Sequence, residues 1–195
     1  MANKIVVIHG SPRKNGNTHA VATFAIEAAR GQNAEVVEID ATLLKFNKPG
    51  CIDCQKCQHS EEFVCTIADQ LGQAVATLPK YDVIVMATPI YWFGFSAQIK
   101  MFIDRMNSLI KIIDPNNFRT PLIGKTFALI ATGALPLENN LEVLDIQWKN
   151  SATLLGCSYL SCLFPNTPIE AGALKKDLSA VEKAQQFGRL LASAK

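Results

Sequence analysis

The sequence has 195 residues, of which 49% are hydrophobic and 18% are charged, with a formal net charge of +2. This length suits one domain with a substantial apolar core, and the near-balance of charge gives no reason to expect nucleic acid or an anionic membrane as a partner. No apolar run approaches the ~18 residues of a membrane-spanning helix. Residues 1–4 lead into the first predicted strand without a signal peptide, so we expect a cytoplasmic protein.

Short apolar runs alternate with amphipathic segments along the whole chain. In chain order the pattern predicts a strand over 5–9, a helix over 17–29, a strand over 34–40, a helix over 67–78, a strand over 82–87, a helix over 96–109, a connection over 118–124, a strand over 126–131, a helix over 138–155, a strand over 157–164 and a helix over 174–192. Alternation of this kind predicts an α/β fold, with a five-stranded parallel sheet covered by helices on both faces. We expect residues 1–195 to form a single domain with a cysteine-rich insert at about 47–66.

The loops that matter most are those after the first, third and fourth strands, because ligands of open parallel sheets bind beyond the carboxyl ends of the strands. The loop over 10–18 opens a helix, whose N-terminus favours an anion. The same loop supplies hydroxyl, amide and guanidinium donors from Ser11, Arg13, Asn15, Asn17 and Thr18. It lacks the lysine of a Walker A motif and the glycine spacing of a dinucleotide fingerprint. It therefore indicates a site for a terminal phosphate.

The loop over 88–95 contains three consecutive aromatic residues, Tyr91, Trp92 and Phe93. Such loops lie on the surface, so a planar aromatic ligand or a dimer contact would explain them better than a core role. The loop over 132–137 has Gly133, which would permit close approach of the backbone. A phosphate grip, an aromatic loop and a small-residue loop at one sheet edge suggest flavin mononucleotide, FMN.

Two motifs resemble the NADPH-dependent FMN reductase family of flavodoxin-like proteins. They are Gly10-Ser11-Pro12-Arg13 with Asn15-Gly16-Asn17-Thr18, and Pro89-Ile90-Tyr91 followed by Ala97, Lys100, Phe102, Asp104 and Arg105. The resemblance implies a sheet of order 2-1-3-4-5, a noncovalent FMN, and a homodimer or homotetramer. It also implies which residues bind the cofactor: Ser11, Arg13, Asn15, Gly16, Asn17 and Thr18 at the phosphate, Pro89, Ile90, Tyr91, Trp92, Phe93 and Gly94 along the ring and ribityl chain, and Thr132 and Gly133 on the other side.

The sequence contains six cysteines. Cys157 and Cys162 fall in an apolar segment, where buried hydrophobic side chains are expected. The other four, Cys51, Cys54, Cys57 and Cys65, are clustered in the insert with the compact C-x2-C-x2-C spacing of iron–sulfur ligands. The insert resembles that of the iron–sulfur flavoprotein branch of the family, whose members carry a 4Fe–4S cluster. The alternatives are a zinc site drawn from these cysteines and His59, and plain thiols with or without redox activity.

The function expected from these features is an FMN-dependent oxidoreductase that passes electrons from NAD(P)H to a quinone, a flavin or another small acceptor. The alternative is an iron–sulfur flavoprotein that carries electrons between protein partners. No acid–base residue is assigned, because the flavin supplies the reactive group. Lys100 and Asp104 are expected to form an ion pair at i,i+4 spacing, or to lie at a dimer interface, rather than to take part in catalysis.

Overall fold

The computed structural model describes residues 2–114 and 117–194. The strands are β1 (Lys4–His9), β2 (Glu35–Asp40), β3 (Val83–Tyr91), β4 (Gly94–Phe95), β5 (Lys111–Asp114), β6 (Asn117–Arg119), β7 (Thr126–Thr132) and β8 (Ser158–Phe164). The helices are α1 (Asn17–Arg30), α2 (Gln70–Ala76), α3 (Ala97–Arg105), α4 (Glu142–Leu154) and α5 (Leu178–Ser193).

Five parallel strands form the main sheet in the order β2-β1-β3-β7-β8. This arrangement confirms the predicted order 2-1-3-4-5. The central strands β3 and β7 are apolar and buried along most of their length, as expected for strands covered on both faces. Short β4 pairs antiparallel with the end of β3.

Successive residues of each strand face opposite sides of the sheet, so the core has two layers. Val6 and Ile8 of β1 belong to the layer covered by α2, α3 and α4, and Ile5 and Val7 belong to the layer covered by α1 and α5. Helices on both faces are therefore confirmed. Among the described residues, no helix combines the length and the apolar character needed to cross a bilayer.

Several predicted helices begin later in the structure than in the sequence pattern. α2 begins at Gln70 because the Asp69 side chain accepts a hydrogen bond from the Gly72 N–H and caps the helix there. α5 begins at Leu178 for the same reason, with Asp177 as its N-cap. α4 begins at Glu142 because Glu138 and Asn139, in the turn over Leu137–Leu141 that precedes it, have non-helical backbone angles, with a φ of +54° at Asn139.

Two expected connections contain regular structure. The predicted helix over 96–109 is α3 followed directly by a 3-10 helix over Met106–Leu109. Strands β5 and β6 then pair antiparallel, and β6 overlaps the expected connection over 118–124. The expected loop over 88–95 is also a hairpin, because β3 continues to Tyr91 and turns back into β4. The cysteine-rich insert lies between β2 and α2 and includes a short 3-10 turn over Lys56–His59.

Candidate functional site

A cleft of about 230 Å³ lies at the edge where β1, β3, β7 and β8 end. We call it the main cleft. It is lined by Ser11, Arg13, Gly16, Asn17, Thr18, Pro89, Ile90, Tyr91, Thr132, Gly133, Ala134, Thr167, Pro168 and Ile169. The three loops predicted from the sequence therefore meet at one place, and they are joined by a fourth.

The remaining predicted cofactor residues lie outside the main cleft. Asn15 lines a neighbouring groove beside Lys14 and Lys175. Trp92 and Phe93 line a second, adjoining pocket that shares Ile90 and Ala134 with the main cleft. Gly94 lies in β4, directly after these two residues.

One end of the main cleft is formed by the N-terminus of α1. Gly16 is the N-cap residue and makes no side-chain cap, so the first-turn N–H groups are available to a ligand. A Cβ at Gly16 would lie 2.9 Å from the Arg13 carbonyl oxygen, so the tight loop requires glycine. Ser11 Oγ accepts a hydrogen bond from the Arg13 N–H at 3.3 Å. This end of the cleft combines backbone donors, a hydroxyl and a guanidinium around a space suited to an anion.

The Asn17 side chain holds a fourth loop in place. Its amide nitrogen donates to the carbonyl oxygens of Pro168 at 2.7 Å and Glu170 at 2.9 Å, and its oxygen accepts from the Leu174 N–H at 3.0 Å. Because this side chain is already occupied, the group that Asn17 offers to a ligand is its backbone N–H.

Sequence reasoning missed this fourth loop, which follows β8 and contributes Thr167, Pro168 and Ile169 to the main cleft. The signal was present, because Pro165 and Pro168 mark a turn after the last predicted strand. The rule that ligands bind beyond strand ends applies to that strand as well.

The first and third loops are joined through buried hydroxyl groups. Thr18 Oγ1 and Thr132 Oγ1 lie 2.7 Å apart and share a hydrogen bond. Next to them, a Cβ at Gly133 would lie 2.8 Å from Ile90 Cγ2. Glycine at this position therefore lets the third loop approach the β3 edge of the cleft.

The aromatic segment forms the two-residue turn of the β3–β4 hairpin. Ile90 pairs with Phe95 and Tyr91 pairs with Gly94, which leaves Trp92 and Phe93 at the turn. Both have positive φ, +48° and +59°, in a turn that usually contains asparagine or glycine. Bulky residues held in this conformation store backbone strain, which tends to occur at functional sites. Trp92 is 96% exposed, so it is not part of the core.

Away from the main cleft, the four clustered cysteines line one small cavity together with Arg105, Asn107 and Ser108. We call it the cysteine cavity. Cys57 is buried, Cys65 is half-buried, and Cys51 and Cys54 are exposed. Burial raises the pKa of the Cys57 thiol, although its hydrogen bond from Gln58 and the charge of Lys111 act in the opposite direction.

The described residues 2–114 and 117–194 contain no group of three or more His, Cys, Asp or Glu that could hold a metal ion. The zinc site considered from the sequence therefore has no support, and His59 is an exposed residue of the insert.

Cys162 is buried and Cys157 half-buried, and burial raises the pKa of both thiols to about 11. Lys100 and Asp104 form the expected exposed ion pair, at 2.6 Å.

The family model for NADPH-dependent FMN reductase matches residues 3–163. The chain belongs to this family. A curated relative of this chain is an iron-sulfur flavoprotein of Methanocaldococcus jannaschii, 34% identical over 106 residues, which cover 54% of this chain and 53% of that protein. The match thus spans about half the length of the relative.

Solved structures confirm that this FMN reductase family member has the flavodoxin-like fold. An FMN-dependent NADH-azoreductase of Bacillus anthracis, solved with FMN, superposes with a TM-score of 0.71 and 14% identity over 97% of this chain and 100% of that one. An archaeal flavodoxin superposes with a TM-score of 0.58 and 14% identity over 97% and 96% of the two chains.

A pair of stacked histidines lies beside the loop over 10–18. His9 at the end of β1 and His19 in α1 have ring centroids 4.6 Å apart, and His9 Nε2 lies 3.1 Å from Glu38 Oε2. Burial lowers the pKa of His9, and the charge of His19 lowers it further, although Glu38 and Asp40 act in the opposite direction. His9 is therefore neutral in the folded protein at pH values where an unfolded chain would protonate it.

We expect the free energy of unfolding to fall as the pH drops through and below the ordinary histidine pKa of about 6.5, because the unfolded chain then binds a proton that folded His9 resists. Urea denaturation of FMN-free protein between about pH 7.5 and 5.5 measures this loss. His9→Gln should lose less stability over that range than the wild type, while the exposed-residue control His59→Gln should behave like the wild type. Equal pH dependence in the wild type and both variants would contradict the assignment.

Proposed function

We propose that this chain, as a single domain with a cysteine-rich insert at about 47–66, is an FMN-dependent oxidoreductase. It takes electrons from NAD(P)H and passes them to a small acceptor such as a quinone or a flavin. The observation that supports this proposal most directly is the main cleft, which has an anion-binding end and an apolar end. Ten of its fourteen lining residues are among those that the family resemblance assigns to FMN.

The anion-binding end fits the FMN phosphate. Backbone N–H groups at the start of α1, the Ser11 hydroxyl and the Arg13 guanidinium would bind its oxygens, because charge-assisted bonds from such donors are the strong ones. The Asn17 side chain would act indirectly, by holding the fourth loop against the cleft.

The apolar end fits a flat ring. Pro89, Ile90 and Tyr91 form one side and Gly133 and Ala134 the other. When bound there, FMN supplies the group that exchanges electrons with NAD(P)H and the acceptor. Arg13 is the one formally charged side chain among the described lining residues, so the chain would bind and orient the ring and exclude water rather than act as an acid or base.

The adjoining pocket beside Trp92 and Phe93 opens from the same apolar end. We propose that these two residues and Gly94 complete the surroundings of the ring, as the resemblance implies, although they lie outside the main cleft itself. Asn15 lines the neighbouring groove and not the main cleft, so a contact between Asn15 and the phosphate stays a prediction. The homodimer or homotetramer that the resemblance implies stays a prediction.

The phosphate grip is tested by comparing FMN with riboflavin, which lacks the phosphate. Arg13→Ala should weaken FMN binding by roughly 10- to 100-fold, the effect of one charge-assisted bond, and should leave riboflavin binding nearly unchanged. Quenching of flavin fluorescence on titration measures both affinities. Lys14→Ala is the matched control, because Lys14 lines the neighbouring groove and should leave both affinities unchanged. Equal losses for FMN and riboflavin in Arg13→Ala would contradict a phosphate contact.

The oxidoreductase activity is tested by mixing FMN-loaded protein with NADH or NADPH without oxygen. We expect the visible flavin absorbance to be lost with at least one nucleotide, and to return when a quinone or free flavin is added. The relative rates with NADH and NADPH then identify the donor. A protein that retains FMN but is reduced by neither nucleotide would contradict the proposed activity while leaving the FMN site intact.

The cysteine cavity favours a second candidate function, an iron–sulfur flavoprotein that carries electrons between protein partners. The supporting observation is that Cys51, Cys54, Cys57 and Cys65, separated by up to 14 positions, line the same cavity. The described residues contain no set of three or more ligands close enough to surround a single metal ion. A 4Fe–4S cluster does not require such a set, because each of its cysteine ligands binds a different iron atom. The four thiolates would hold the cluster, which would supply one-electron transfer.

Reconstitution with iron and sulfide in the absence of oxygen tests this second candidate. We expect about four iron and four sulfide per chain, with a broad visible absorbance beyond that of the flavin. Cys57→Ser should lose most of the bound iron and keep FMN, and Cys157→Ser, a change outside the cavity, should keep both. Wild-type protein that takes up FMN but no iron and sulfide would exclude the cluster.

A further inference from the structure

We propose that Arg105 and Lys111 are positioning residues of the cysteine cavity, and that their charges adapt it to an anionic occupant. The anionic occupant rests on the second candidate function. The positioning of the cysteines rests only on the contacts that the two side chains make. Neither residue lines the main cleft.

Arg105 joins the two ends of the segment that contains the cysteines. Its side chain is 1% exposed. Its Nε donates to the Gly50 carbonyl oxygen and its Nη2 to the Lys48 carbonyl oxygen, both at 2.8 Å, just before the first cysteine. Its Nη1 lies 3.6 Å from the Sγ atom of Cys65, the last of the four cysteines, and 2.9 Å from Asp69 Oδ1, which follows the insert.

Asp69 closes the same junction from the other side. Its Oδ2 accepts from the Asn47 N–H at 3.0 Å and from Arg105 Nη2 at 3.2 Å. The start and the end of the insert are therefore tied to one buried ion pair. Because a planar guanidinium has its donors in a fixed arrangement, lysine at position 105 could not make the same set of bonds.

Lys111 binds the middle of the insert from β5. Its ammonium group donates to the Cys57 carbonyl oxygen and, at 2.7 Å, to the Glu62 carbonyl oxygen, and it lies 5.4 Å from the centre of the Phe63 ring. The Gln58 side chain reinforces this attachment, since its Nε2 donates to the Ile110 carbonyl oxygen and its Oε1 accepts from the Ile112 N–H.

The charge of Lys111 has no direct counterpart in the part of the chain that the structure describes. Lys111 is 4% exposed, and no described carboxylate lies within 4.0 Å of its Nζ. Arg105 pairs with Asp69, so among these three buried side chains two are cations and one is a carboxylate. A buried cation without a counter-charge is unfavourable, whereas four thiolates on a cluster would provide one.

The positioning role is tested by alkylating FMN-loaded protein with iodoacetamide and following each cysteine by mass spectrometry. In Arg105→Gln we expect Cys57 and Cys65 to react roughly tenfold faster or more than in the wild type, because buried charged hydrogen bonds are lost. Arg105→Lys should give an intermediate rate. Lys100→Gln, an exposed change on the same helix, should match the wild type.

The same experiment separates local from global effects through Cys157 and Cys162, which lie outside the insert. Unchanged reaction of these two, with faster reaction of Cys57 and Cys65, supports the proposal. If all four react faster to the same degree, or if Cys57 and Cys65 do not change, Arg105 is not a positioning residue of the cavity. This result does not depend on whether iron and sulfide are bound.

The charge role is tested on the reconstituted protein through its reduction potential. Reduction adds negative charge, so Lys111→Met should shift the potential of the cluster to more negative values, and Lys111→Arg should restore it toward that of the wild type. A shift absent in Lys111→Met, or equal in Lys111→Met and Lys111→Arg, would overturn the charge role. If the wild type takes up no iron and sulfide, the anionic occupant is excluded, and the alkylation rates still decide the positioning role.

Discussion

The parallel direction of the strands is the constraint on which the site depends. Because β1, β3, β7 and β8 all run the same way, the loops that follow them end at one edge of the sheet. Hydrogen bonds then join loops that are far apart in sequence. Thr18 bonds to Thr132 across 114 positions, and the Thr167 N–H donates to the Gly133 carbonyl oxygen. The cleft is thus a consequence of the sheet, with loop residues that adjust its shape and charge.

The parts of the fold that the sequence predicts well are those set by local patterns. The apolar runs of β3 and β7 identify central strands, because only strands covered on both faces need to be apolar throughout. Helix starts were less predictable, because the Asp69 carboxylate that caps α2 locally is also paired with Arg105, 36 positions away. The pairing of β5 with β6 was missed because these short strands are only partly buried and show no clear alternation.

In the loop over 10–18, residue type predicted the location of a side chain better than its role. Asn17 was assigned to the phosphate as a hydrogen-bond donor, and it does line the cleft. Its side chain, however, bonds to Pro168, Glu170 and Leu174, more than 150 positions away. A local sequence pattern around Asn17 cannot reveal hydrogen-bond partners at that separation. Arg105 is a similar case: in the sequence it is one more cation on an amphipathic helix, and in the structure it is among the most buried side chains.

Helix α3 connects the two sites. It begins directly after its N-cap Ser96, whose N–H donates to Thr88 Oγ1 near the end of β3, and it ends at Arg105 in the cysteine cavity. Its first turn packs closely against Gly10, the residue after β1, since a Cβ on Gly10 would lie 2.1 Å from Ile99 Cγ1. Nine residues of helix span only ~13 Å. The sheet edge that shapes the main cleft therefore also determines where the cysteine cavity lies, and a change that displaced α3 would disturb both sites together.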